Sequence, residues 1–340
     1  MAMADTNKQI HLVSRPTGEP EAANFALIET PVPSPGAGQV LLKTLYLSLD
    51  PYMRARMYEG ANYAANTPLN APMVGDTVSE VMESHHPDFT AGDIVVSRHG
   101  WQSHALSDGA DLKRVDPSLA PISTALSVLG MPAHTGYGGL LRFGKPEAGE
   151  TLLVSAATGA VGSVVAQIGR IKGLRTVGIA GGTDKCRYLV DTLGLDGAID
   201  RRAGDFAGQL KATCPNGVDI YYDNVAGDIA AEVLPVFNTG GRYLVCGTIA
   251  INRDLGYPEG ADNLQKMLAT VLVKKLTVQG FIFPDFLDMT EAFLSDMPGW
   301  IKSGDVKYQE HVVEGIENAP QAFLGLFKGE NFGKLLVKVA

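Results

Sequence analysis

Cysteine is scarce: Cys186, Cys214 and Cys246 are the only three in 340 residues. An odd number at wide spacing excludes a disulfide framework, and no zinc cluster can be read from it. The three are expected to be reduced, small, buried side chains of a cytoplasmic protein. Basic charge is also short, with 28 Lys and Arg against 37 Asp and Glu and a formal net charge of −9. That balance argues against nucleic acid as the main partner, because phosphate backbones are bound by basic surfaces. It leaves room for a local basic site that takes a phosphorylated cofactor. The opening stretch MAMADTNKQIHLVSRP lacks an apolar targeting core, and no apolar run approaches bilayer-spanning length. No membrane partner is expected. Internal repeats, low-complexity tracts and flexible linkers are lacking as well.

What is present describes a soluble globular chain with many tight turns: 45% hydrophobic residues, 19% charged residues and 39 glycines. Its length exceeds the usual size of one core, so two domains are expected. The first third reads as short strands split by breakers, as in NFALIETPVP, VLLKTLYLSL (Val40 to Leu49) and the pair within GDIVVSRHGWQSHALSD. From SVLGMPAHTGYGG onward, strands and helices alternate. TLLVSA, RTVGIAG, GAIDRR, VDIYYDNV, GRYLVCG and LTVQGFIF read as strands, with helices over Ala160–Lys172, DKCRYLVDTLG, IAAEVLPVF and Asn263–Lys275. This spacing predicts an α/β fold with a doubly wound parallel sheet. The segment after about residue 305 reads as strand, helix and strand, and is expected to return to the first domain.

One stretch carries the first chemistry. In VSAATGAVGSVVAQIGRIKG a buried strand runs into Ala157-Thr158-Gly159-Ala160-Val161-Gly162 and then into an amphipathic helix. This is the dinucleotide fingerprint G-x-G-x-x-G with alanine in the first place. Gly159 would let the backbone approach a pyrophosphate, Gly162 would let the helix pack on the strand, and the helix N-terminus would face the phosphates. The second strand ends in Gly181-Gly182-Thr183, without the carboxylate that binds a ribose 2′-hydroxyl. Lys185, Arg201 and Arg202 follow, so NADP(H) is expected over NAD. Asp184 reads as a helix cap.

LYLSLDPYMRARM, MPAHTGYGGLL, VSAATGAVGSVVAQIGRIKG, AGGTDKCRYL, YYDNVAG and GENFGKLLVKVA, in that order, resemble the medium-chain dehydrogenase/reductase superfamily. Within it they are similar to the zinc-independent branch of leukotriene B4 dehydrogenases, prostaglandin reductases, alkenal double-bond reductases and curcumin reductases. The resemblance implies a GroES-like domain over 1–125 completed by 305–340, a Rossmann NADP-binding domain over 126–304, and a cofactor between them. The cysteine and Gly-His-Glu motif of the zinc enzymes have no counterpart here: LSLDPYMR lacks cysteine, and Asp76-Thr77 stands in VGDTVSE. His85-His86 reads as a polar surface loop.

Residue by residue, the resemblance implies that Lys185 contacts the 2′-phosphate and Arg201 lies near the same ribose. Asn224, Cys246, Gly247, Phe281 and Phe283 would line the nicotinamide side, and Asn331 would reach back to the cofactor. Core packing is the competing reading for Phe281, Phe283 and Cys246. Without a metal, a conjugated carbonyl is the substrate that needs least help. Hydride adds to the β-carbon and charge spreads onto oxygen, where a tyrosine can donate. Tyr52 is the first candidate and Tyr137 the second. Arg54 or Arg56 could receive an acidic group on the substrate. Ile251 stands where many relatives carry a tyrosine, and the loop from Asn252 to Asn263 is expected to shape substrate choice. The expected function is therefore an NADPH-dependent enone or enal reductase. A quinone reductase and a cofactor-binding sensor or scaffold remain alternatives, and a homodimer is possible by resemblance.

Overall fold

In the segment VLLKTLYLS, buried Val40, Leu42 and Thr44 alternate with half-buried neighbours, the period of two that marks a strand with one face on a core. A register shift between Thr44 and Tyr46 then resets which face is buried. The structure, a computed structural model, describes residues 6–60, 62–251 and 263–340. Its contacts divide the chain into two units. One runs to Ser127 and resumes over Glu310–Ala340, and the other is Val128–Gln309.

The first unit begins with β1 (Thr6–Leu12), β2 (Phe25–Pro31), β3 (Val40–Ser48) and the one-turn helix α1 (Tyr52–Ala55). It continues with β4 (Ala71–Pro72), β5 (Thr77–Ser84), β6 (Ile94–Ser97), β7 (His104–Ser107) and β8 (Lys113–Arg114). β1 and β5 carry several polar residues and were not expected from the sequence. The strands of GDIVVSRHGWQSHALSD do not form a hairpin. β6 pairs with β5 and β8, whereas β7 pairs with β3. Gly100 turns the chain between them at φ +77°, where a β-carbon would meet Met73 O at 2.3 Å.

The second unit opens with α2 (Met131–Gly138) and β9 (Thr151–Val154). Then come α3 (Gly162–Ile171), β10 (Arg175–Ala180), α4 (Thr183–Arg187), β11 (Gly197–Asp200), α5 (Phe206–Thr213), β12 (Val218–Asp223), α6 (Gly227–Val233), β13 (Phe237–Val245), α7 (Asn263–Lys274), β14 (Thr277–Gly280) and α8 (Thr290–Ser303). The six parallel strands run β11-β10-β9-β12-β13-β14. That is the order of a Rossmann sheet, which reverses direction at β9 and leaves ligands the carboxyl edge beside it. The apolar runs of β9 and β12 are buried on both faces, as in a sheet covered by helices on each side. β14 is shorter than expected: Phe281 and Phe283 lie beyond it, and Phe283-Pro284 opens a 3₁₀ turn.

The chain closes with β15 (Glu310–Glu314), α9 (Ala319–Lys328) and β16 (Lys334–Lys338). β16 pairs parallel with β15 and antiparallel with β3, so it becomes an inner strand of the first unit. This strand, helix and strand match the expected pattern and give the GroES-like β-rich part its last members.

Candidate functional site

Five segments meet at the carboxyl edge of the parallel sheet. The turn after β9 is the tightest. Ala156 takes φ +47°, a left-handed conformation costly for a side chain-bearing residue, and thereby makes the bend expected of the fingerprint's first position, Ala157. Ala157 itself is buried against Gly178. A β-carbon at Gly162 would lie 2.5 Å from Ala156 O, and one at Gly159 would lie 3.1 Å from the same oxygen. The elbow is thus closed to any larger residue at Gly162. Thr158, Ala160 and Val161 complete the turn into α3, which begins at Gly162 rather than Ala160. Its N-terminus has no side-chain cap, which leaves backbone N–H groups for an anion.

The next strand tip gathers cations. A methyl at Gly181 would lie 3.0 Å from Nε of Arg202 and 3.3 Å from Nε of Arg201. Half-buried Lys185 is held below its ordinary pKa by burial first, then by Arg202 and Arg201. Crowded like charges make an added phosphate favourable here. Gly182, at φ +99° and ψ 151°, occupies a conformation nearly restricted to glycine and caps α4. Two expectations need correction. Asp184 does not cap: it lies in the first turn of α4, highly exposed, 3.5 Å from Arg187. Nor is the tip free of acid, since Asp200 of β11 accepts from Gly182 N at 2.7 Å and Arg202 N at 2.9 Å. Those two backbone bonds hold its carboxyl below the usual range. GAIDRR hid this role because the acid belongs to the third strand, eighteen residues from the glycine it holds.

Beside β9, Asn224 donates from its side chain to Ser155 O and from its backbone to Ser155 Oγ, both at 2.8 Å. Buried Asp223 accepts from Ser155 Oγ, Val225 N, Ala226 N and Tyr243 Oη. Ala226 sits at φ 64°, ψ −154°, another conformation that glycine alone tolerates well. Two strained alanines, Ala156 and Ala226, therefore flank adjacent strand ends. Cys246 and Gly247 donate their N–H groups to Asp223 O, which sets them against Asn224. Burial pushes the Cys246 thiol up to about 12, so it is not a thiolate.

Other expected residues have partners of their own. Phe281 is core, with its ring 5.4 Å from Phe286 and 5.6 Å from Phe143. Phe283 is half-buried and meets His134 edge-on at 5.4 Å. Tyr137 packs on Phe293 and Trp300, and its hydroxyl donates to Asp296 at 2.8 Å. This commits it to α8. Arg54 is buried, lies over the Phe327 ring and pairs with Glu19 at 3.4 Å, so it is not a receiver of substrate acid. Arg56 Nε donates to Ala65 O. Asn331, in the first unit, donates to Gly333 O at 2.8 Å. Ile251 ends a turn on Thr248 O and offers no hydroxyl. Of the loop expected to shape substrate choice, residues 252–262 lie outside the described residues, and Asn263 opens α7.

Tyr52 of the first unit sits among charges that sequence spacing did not reveal. It starts α1 directly after Asp50-Pro51. Asp50 accepts from Lys334 Nζ at 2.6 Å and from the Ser48 hydroxyl, and Lys334 also donates to Leu49 O at 2.9 Å. Asp76, 3.8 Å from Arg98, is raised to about 6 by burial and by the charge of Asp50. Burial, then Asp76 and Asp50, push the Tyr52 phenol well above its ordinary pKa. Among the described residues no set of three His, Cys, Asp or Glu is placed to hold a metal ion.

Comparison with known proteins agrees over nearly the whole chain. The family described as N-terminal domain of oxidoreductase matches residues 8–115, and that described as zinc-binding dehydrogenase matches 160–297. The chain is 48% identical to the NADPH-dependent curcumin reductase of Escherichia coli, over 98% of this chain and 97% of that one. It is 38% identical to prostaglandin reductase 1 of Rattus norvegicus, over 94% and 95%. CurA from Vibrio vulnificus, solved in complex with NADPH, superposes with a TM-score of 0.93 at 47% identity, covering 98% of this chain and 99% of that one. The glycine elbow, the Rossmann strand order and these full-length relatives place the chain in the medium-chain dehydrogenase/reductase superfamily, in its zinc-independent branch of prostaglandin and curcumin reductases.

Proposed function

We propose that this protein is an NADPH-dependent, metal-independent reductase of the C=C bond of α,β-unsaturated ketones and aldehydes. The observation that carries this reading is 48% identity, over nearly the full length of both chains, to an NADPH-dependent curcumin reductase. The cation cluster at Gly181 supports it. The second unit, Val128–Gln309, is taken as the cofactor domain expected over 126–304, and the first unit, which carries Tyr52, as the GroES-like domain expected over 1–125 with 305–340. The residues present suit the cofactor. Gly159 would let the pyrophosphate approach at α3, Gly162 lets the elbow close against Ala156 O, and Lys185, Arg201 and Arg202 would hold the 2′-phosphate. Asn224, Cys246 and Gly247 border the nicotinamide. Phe283 and Asn331 are the further residues we propose as contacts of the cofactor.

Bound NADPH supplies the hydride that adds to the β-carbon. Negative charge then collects on the substrate oxygen, where Tyr52 donates a hydrogen bond. A phenol kept protonated by burial and two carboxylates is a strong holder of its proton and a weak acid. Tyr52 therefore stabilises the enolate without giving its proton away, and solvent supplies the proton to the α-carbon. The positive charge that acts on Tyr52 is that of Arg56, and Asp50 is already tied to Lys334.

We further infer a cytoplasmic homodimer. β14 is the last strand of its sheet, and Leu268, Leu272, Val273 and Val278 present an exposed apolar band beside it, with Leu272 79% exposed. No helix among the described residues is long and apolar enough to cross a membrane. The central test is NADPH oxidation with enones, enals, quinones and saturated ketones, with product mass to follow the C=C bond. Saturated ketone products from enones are expected. Alcohol products with the alkene intact would overturn the reading.

A further inference from the structure

Lys334 is an unusual residue to find inside a protein. Its side chain is 3% exposed, and that of its partner Asp50 is 8% exposed. A buried ion pair seldom adds net stability, because desolvating both charges offsets their attraction. What such a pair does well is fix one geometry. Here the fixed geometry is local and specific. β16 lies antiparallel to the end of β3, with Leu336 opposite Ser48, and Leu49 N donates to Leu335 O at 3.2 Å. Lys334 therefore stands across from the residues that follow β3. Its ammonium donates to Leu49 O at 2.9 Å and to Asp50 Oδ1 at 2.6 Å. Asp50 Oδ2 is taken by the Ser48 hydroxyl, so the carboxylate is held from both sides. Pro51 follows with its φ set by the ring, and Tyr52 begins α1. Below Tyr52, Met53 packs against Gly75, where even a β-carbon would approach Met53 Cε to 3.1 Å.

We propose that Lys334 is a positioning residue for Tyr52, its ammonium clamping Leu49 O and Asp50 so that the Asp50-Pro51-Tyr52 turn aims the phenol at the substrate oxygen. This rests on the role of Tyr52 given above. The clamp spans 284 residues of chain, so the aim of a side chain near the start is set by a strand made near residue 334. The ammonium also offsets the Asp50 charge next to Tyr52. Without it, Asp50 would stand as an uncompensated buried anion, which is why removal of Lys334 alone is a poor test.

The test uses the full chain in four forms: wild type, Y52F, D50N/K334M, and the triple variant. The double variant removes both charges together. Turnover is read with an α,β-unsaturated ketone such as 4-phenyl-3-buten-2-one, with NADPH affinity by fluorescence and melting temperature in parallel. Loss of the Tyr52 donor should lower kcat about 100-fold. Loss of the clamp should lower kcat about 10-fold through misaimed geometry, with NADPH affinity unchanged. The triple variant should fall no more than about twofold below Y52F, because a clamp has nothing to aim once the hydroxyl is gone. A role in folding alone would instead give multiplied losses in the triple variant. That result, or wild-type kcat in D50N/K334M beside an impaired Y52F, overturns the clamp alone. Wild-type kcat in Y52F overturns the role of Tyr52 and the clamp with it. Should the double variant fail to fold, K334R, which keeps both charges and moves the donor atoms, is read in the same cycle, with a loss of about threefold or more that vanishes in the Y52F background.

Discussion

The two charged clusters of this protein are built on opposite terms. At Gly181 in the second unit, Arg201 and Arg202 are exposed, and with Lys185 they crowd one glycine turn while depressing the lysine's hold on its proton. Around Asp50 in the first unit, the charges are buried and matched, each donor set against an acceptor. The first arrangement gains when an anion arrives, which suits the phosphate-binding role proposed for it. The second has nothing to gain from a ligand, and so it holds shape. One protein needs both, because a hydride transfer requires a cofactor bound tightly and a donor aimed narrowly.

The sharpest way to break this contrast is to remove cations from the exposed cluster. Lys185→Ala with Arg201→Ala should raise KM for NADPH about 100-fold and leave KM for NADH nearly unchanged. Equal losses for both cofactors would mean the cluster does not read the 2′-phosphate. Next in size is the glycine elbow. Gly162→Ala places a methyl 2.5 Å from Ala156 O, and backbone cannot yield as a flexible side chain can. A loss of about 2 kcal/mol in stability and of about tenfold in NADPH affinity is expected by denaturation and fluorescence titration. An unperturbed variant would show that the elbow has slack.

The buried cluster is tested through its one strained member. Asp76 binds its proton more tightly folded than unfolded, about 6 against 3.8. The native state is therefore penalised as pH rises from about 4 to 6, and the penalty persists above that range. Asp76→Asn should stabilise the protein on the order of 2 kcal/mol at pH 7.5 and not at pH 4, read by urea melts. Equal effects at the two values would show that Asp76 is ionised without cost. The smallest effect belongs to Ala226. Ala226→Gly relieves a conformation at φ 64° and should raise stability by about 1 kcal/mol in a thermal melt. A lower melting temperature would mean the methyl packs well enough to outweigh the strain.

Much of the second unit was legible because its signals are local. A strand, a glycine turn and a helix stand within twenty residues in VSAATGAVGSVVAQIGRIKG, and the alternation that follows has one common physical solution. The positions of Lys185 and Arg201, each just beyond a strand end, were legible for the same reason. What stayed hidden depends on contacts between distant segments. Asp200 looked like the last residue of a short strand until Gly182 N was found on its carboxylate. Ala156 and Ala226 carry no sign in the sequence of the backbone angles they adopt. β1 and β5 were missed because polar residues occupy buried positions in both, Asn7 in β1 and Thr77 and Ser79 in β5, which erases the apolar alternation of a strand. Lys334 stood in view within GENFGK, and nothing local could have told that its ammonium ends against Asp50.

That last pairing has a bearing on how the chain comes into being. Synthesis runs from the amino end, and the second unit, continuous over Val128–Gln309, can close as soon as it leaves the ribosome. The first unit cannot. Its sheet waits for a strand translated almost three hundred residues after the neighbour it will join, leaving the early strands without their inner partner meanwhile. The nascent protein thus completes its nucleotide-handling half before the half that carries Tyr52, and shelter by chaperones matters most for the strands made first.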